Sequence, residues 1–146
     1  MPRKPPSQLA LPLAANPSAQ RALIPVLVSR CLCGVPCRYH GREMGVHSRV
    51  RQLLASGRYR LIEVCPEVDA GLSTPRPPTR IRNGRCLCAG QDITAAFERG
   101  AEIALARAKE SGAERAYLVS GSPSCDGDTG ITGKALAQAG LRIIKI

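Results

Sequence analysis

The chain has no tryptophan and only four other aromatic residues, Tyr39, Tyr59, Tyr117 and Phe97. A core must therefore be assembled from Val, Ile, Leu and Ala. The scarcity also argues against a single-stranded nucleic-acid binder, which uses aromatic platforms for its bases. No apolar run approaches the roughly 20 residues that span a bilayer. The first 24 residues contain no acid, and residues 25–91 contain eleven arginines, four acids and no lysine. Residues 92–146 balance at seven cations against seven anions, so the net charge of +10 resides in the first two-thirds. Arginine recognises carboxylate and phosphate bidentately, so this bias suits either a solvated face or a mouth that attracts anions.

The 146 residues, 44% of them hydrophobic, are enough for one core. The opening "MPRKPPSQLALPLAANPSAQ" has a basic start and a short apolar patch broken by Pro12. It reads as a flexible extension over 1–23, followed by one domain over 24–146. Seven cysteines is an odd number, which rules out a fully paired disulfide framework. Clustered thiols in a reducing compartment point to metal or catalysis, and the cytoplasm is the expected location.

Four short apolar runs read as strands buried on both faces: 24–29, 59–64, 115–120 and 141–145. Helical periodicity lies between them. Val46, Val50, Leu53 and Leu54 share one side before Gly57; Ile93, Phe97, Ala101, Ala104, Leu105 and Ala108 share another before Gly112. A third, shorter helix starts at Thr132 and ends at Gly140. The expected fold is a single three-layer, Rossmann-like α/β domain with a mostly parallel four-stranded sheet. Residues 65–91, rich in Pro and Gly, read as one long functional loop.

Set against these strands, Cys31, Cys65 and Cys125 each follow a strand end. Separations of 34 and 60 residues then collapse onto the carboxyl edge, where open α/β sheets bind ligands. A closed structural zinc wants four protein ligands, whereas three thiolates suit a [4Fe–4S] cluster with one iron left free as a Lewis acid. The two "CLC" pairs, Cys31 with Cys33 and Cys86 with Cys88, offer an alternative zinc site. Buried small thiols are the plain alternative.

Glu67, two residues after Cys65, is the candidate general acid or base. Ser122 and Ser124 flank Cys125 and offer hydroxyls. Arg76, stiffened between prolines, suits a substrate clamp. His40 and His47 are left as surface or capping residues. "GDTGITGK" fails as a phosphate loop, although the helix opening after it could receive an anion.

The blocks "VLVSRCLCGVPCRYHG", "VCPEVDAGLSTPRPP", "GQDITAAFERGA" and "SPSC…GITGKALAQAGLRI" together resemble the thiouracil desulfidase family, from about residue 25 onwards. The resemblance implies removal of sulfur from thiouracil, giving uracil and sulfide, on a [4Fe–4S] cluster. It implies Cys31, Cys65 and Cys125 as ligands and Glu67 and Ser122 as catalytic groups; Arg76 and Ser124 are placed beside the substrate by their sequence contexts alone. A small thiolated pyrimidine is the expected partner, with no membrane. A sulfur-transfer enzyme acting on thiolated nucleotides or RNA, and a non-catalytic zinc or cluster module, are the alternatives.

Overall fold

A computed structural model describes residues 23–146; the extension read over 1–23 lies outside the described residues except for Leu23. Four strands form one sheet: β1 (Ile24–Ser29), β2 (Tyr59–Val64), β6 (Arg115–Leu118) and β7 (Arg142–Lys145). Their order is β2-β1-β6-β7, and every pair is parallel. The expected fold class is met. The third strand ends at Leu118 rather than residue 120, because the chain turns away there toward the carboxyl edge.

Alternation along the central strands explains the layers. Val26, Val28 and Tyr117 face one side and pack on α1 (Ser48–Ala55) through Val50 and Leu53. Leu27, Ala116 and Leu118 face the other side, against Ala104 and Ala108 of α3 (Thr94–Ser111) and Leu136 of α4 (Ile131–Gln138). Val26, Leu27 and Val28 are completely buried. Burial of this kind stabilises by roughly 1.5–3 kcal/mol per side chain. His47 caps α1, its Nδ1 accepting from the Arg49 amide at 3.1 Å. Gly112, left-handed at φ 76°, ends α3.

Residues 65–91 are not the single loop expected. A one-turn helix, α2 (Pro66–Asp69), follows Cys65 directly. An antiparallel ribbon comes next: β3 (Thr79–Arg82), β4 (Arg85–Cys88) and β5 (Gln91–Asp92). Asn83-Gly84 and Ala89-Gly90 turn it, all four residues at positive φ, as two-residue hairpins require. The "NG" pair was the signal for this hairpin.

Candidate metal centre

The sheet's chain path reverses between β1 and β6: one connection runs outward to β2, and the later ones build on the other side. Such a switch point leaves a crevice at the carboxyl edge. A cavity of about 280 Å³ opens there, lined by the ends of β1, β2 and β6 and the segments that follow them. A water's share of liquid volume is about 30 Å³, so the space far exceeds the needs of one ion.

Cys31, Cys65 and Cys125 all line this cavity, as do Glu67, Arg76, Ser122 and Ser124. Each site residue expected from the sequence therefore falls at one place. Cys31 sits in a 3-10 turn (Arg30–Leu32) after β1. Cys65 is the residue from which α2 starts, with Pro66 at the first helical position. Cys125 lies in a loop stitched to the start of α4, where the amides of Thr132 and Gly133 donate to Ser124 O at 2.8 and 2.9 Å. Those amides, with Ile131 N on Pro123 O and Gly130 N on Asp126 O, are consumed by the loop. The expectation that this helix opening could take an anion is thus corrected.

A fourth thiol was not anticipated in the site. Cys37, 5% exposed, joins the cavity wall together with Arg38 and Tyr39. Its thiol lies beside those of Cys31 and Cys65, and their mutual interaction raises the Cys37 thiol and lowers the other two, while Cys65 Sγ faces the Cys37 carbonyl at 3.8 Å. Burial pushes the Cys125 thiol up to about 12. The pair Cys86 and Cys88, with Cys33, stays away from this cavity. Cys86 is enclosed where β4 meets α3, its amide donating to Thr94 Oγ1 at 2.8 Å, and Cys88 Sγ faces Pro77 O at 3.3 Å. The zinc alternative built on the two "CLC" pairs is therefore not assembled.

Among the described residues, no three His, Cys, Asp or Glu side chains are set to hold a single ion. A tetrahedral zinc needs its sulfurs within about 2.3 Å of one point. A cluster accepts them on different irons and so from more widely spaced thiols. Soft sulfur donors, a roomy cavity and an open mouth fit the second kind of centre.

A polar chain runs along one wall. Arg76 Nε donates to Glu67 Oε1 at 3.1 Å, and both side chains are at least nine-tenths buried. Ser124 Oγ donates to Glu67 Oε2 at 3.0 Å and lies 3.0 Å from Ser122 Oγ. With Ser124's proton committed to the carboxylate, Ser122 is the donor between the two hydroxyls. Ser122 Oγ in turn accepts from the amides of Ser124 and Cys125. Arg76 is more engaged than a free clamp would be. Its Nη1 reaches Ser73 O and Thr74 Oγ1, and its Nη2 reaches Cys37 O at 3.1 Å. One Nη2 proton remains. Arg30, also on the cavity, is paired with Asp69 at 2.9 Å. Two of the three cavity arginines, Arg30 and Arg76, are thus neutralised internally. His40 and His47 take no place on the wall.

The chain is similar to known proteins. A family model described as 2-thiouracil desulfurase matches residues 26–145. The uncharacterized protein YbbK of Bacillus subtilis (strain 168) is 33% identical over 144 residues, covering 82% of this chain and 93% of that protein. The solved structure of TudS, a [4Fe–4S]-dependent thiouracil desulfidase, matches at TM-score 0.75 and 36% identity, covering 84% of this chain and 90% of that one.

Proposed function

From the premise that the chain belongs to the 2-thiouracil desulfurase family, we propose that it is a [4Fe–4S]-dependent thiouracil desulfidase. The observation that carries this reading is the meeting of Cys31, Cys65 and Cys125 with the Glu67–Ser124–Ser122 chain in one cavity. The three cysteines would hold the cluster, and Cys37 is their neighbour rather than a ligand. When bound, the cluster supplies a soft Lewis-acid iron suited to a thiocarbonyl sulfur.

The rest of the work falls to the protein. Replacing sulfur by the oxygen of water converts thiouracil and water into uracil and hydrogen sulfide. No electrons enter or leave, so the reaction is of hydrolase type. Glu67 accepts the proton of the attacking water at a carboxylate held still by Arg76. The Ser122–Ser124 pair offers that carboxylate a second route for a proton to the Cys125 side of the cavity. Ser124 and the spare Nη2 proton of Arg76 border the pyrimidine. Tyr39 is the one aromatic ring among the lining residues and supplies an apolar edge for a flat base.

The catalytic domain is read as residues 24–146, with 1–23 as an extension outside it. Among the described residues, no helix is long and apolar enough to cross a membrane, and all seven cysteines are unpaired. Unpaired thiols suit a reducing compartment, and we place the enzyme in the cytoplasm.

Anaerobic reconstitution with iron and sulfide tests the reading. The chain should gain the broad visible absorption of a cluster and convert 2-thiouracil to equal amounts of uracil and sulfide. Cys125→Ala should abolish the chromophore, while Cys88→Ala should keep it. Stoichiometric zinc with no iron, or a loaded protein that leaves thiouracil intact, would refute the assignment.

A further inference from the structure

We propose that Asp69 is a positioning residue that fixes the spacing of two thiol-bearing strand ends and sets the charge beside them. The inference rests on the cluster reading above. Asp69 closes the one-turn α2, and its carboxylate is where three elements meet. Its Oδ2 accepts the Cys65 amide at 3.1 Å and Arg107 Nη1 of α3 at 2.6 Å. Its Oδ1 faces Arg30 Nη2 at 2.9 Å. Arg30 directly precedes Cys31 and itself lines the cavity. One carboxylate thus ties the backbone of Cys65 to the turn that carries Cys31. The strands beneath are paired neighbours, with Ser29 opposite Val64. Arg107 also binds Glu63 O at 3.1 Å, which anchors the same corner to α3.

The charges follow from the same contacts. The Asp69 side chain is 9% exposed and that of Arg30 is 19% exposed, so water screens this pair weakly. Glu63 is the other carboxylate near Arg30, but it stands 3.8 Å away and is 44% exposed. Asp69 is therefore the main counter-charge to the guanidinium beside the cavity. Uncompensated positive charge favours the more reduced, more negative form of a redox centre. An Asn at position 69 keeps the shape but leaves Arg30 unbalanced. A Glu keeps the charge but moves it outward by one methylene.

The reconstituted full chain and its Asp69→Asn, Asp69→Glu and Arg30→Gln variants provide the test. Two quantities are read: the rate of iron release to a ferrous chelator, and the reduction potential of the cluster. Outer groups that orient ligands are typically worth 10–100-fold in metal affinity. Asp69→Asn should release iron 10–100-fold faster and titrate at a higher potential. Arg30→Gln should move the potential the other way. Asp69→Glu should restore the potential while iron release stays fast. Unchanged release and potential in Asp69→Asn would overturn the inference, as would potentials moving the same way in Asp69→Asn and Arg30→Gln. If Asp69→Asn does not fold, Arg30→Gln and Asp69→Glu still report spacing and charge. A wild-type chain that takes up no cluster defeats both this inference and the function beneath it. A loaded wild type indistinguishable from its variants defeats this one alone.

Discussion

Glu67 is held by two partners that act on different oxygens, Arg76 on Oε1 and Ser124 on Oε2. That arrangement fixes the carboxylate plane while leaving a proton path through a hydroxyl. Glu67→Gln keeps the volume but removes the base. A positioned general base contributes about 10²–10⁴ in rate. The variant should therefore lose thiouracil turnover by about that factor while retaining the cluster's visible absorption. Turnover that survives unchanged would remove Glu67 from the chemistry; loss of the chromophore would make it a support for the cluster. Glu67 was legible in the sequence because it follows Cys65 by two residues and a strand end positions both. Cys37 was not legible as a wall residue, although it follows Cys31 by only six. Its place depends on Arg76, whose guanidinium reaches back across 39 residues to the Cys37 carbonyl. Local spacing carries no trace of such a contact. The same holds for Asp69, whose partners come from β1's following turn and from α3.

At the scale of elements, the loop that carries Cys125 is held by close approach to α4. A Cβ added to Gly133 would lie 2.0 Å from Asp126 O and 2.7 Å from Cys125 O. In an open helix position, Gly to Ala stabilises by roughly 1 kcal/mol. Here the overlap with two backbone carbonyls outweighs that gain, since overpacking costs about 1–3 kcal/mol and occasionally more. Gly133→Ala should lower the melting temperature and reduce iron retention together, because relief of the clash moves the Cys125 loop. A rise in melting temperature would show that the helix and loop are not in tight contact. The third helix was read from its short apolar pattern, and its glycine was visible. That the glycine serves a cysteine loop was not visible, because the contact is made by carbonyls that any residue carries. The ribbon over 79–92 was overlooked for a different reason. The abundance of Pro and Gly in 65–91 outweighed the Asn83-Gly84 turn signal, and the strands beside it are only four residues long.

For the molecule as a whole, the site thiols are contiguous with the core, but much of that core lies away from the cavity. Val26, Leu27, Val28, Leu118 and Leu136 are at most 1% exposed and are buried by the sheet and its helices without help from the cavity. This is why four strand runs and three helices sufficed to anticipate the layers, and why the strand ends pointed to the crevice. Cys31, Cys37, Cys65 and Cys125 are buried members of the core clusters, on the segments that follow the strand ends. A cluster that binds the folded chain and not the unfolded one stabilises by about 4.1 kcal/mol at a thousandfold excess over its dissociation constant. A domain of this size shifts its melting point by a few degrees per kcal/mol. Stripping the cluster with a chelator should therefore leave the far-ultraviolet circular dichroism of the sheet and helices intact. It should also lower the melting temperature by roughly 10 °C or more. A cluster-free chain that melts where the loaded one does would show that the thiols contribute nothing to folding. A cluster-free chain already unfolded at room temperature would show instead that the sheet cannot stand on its apolar core alone.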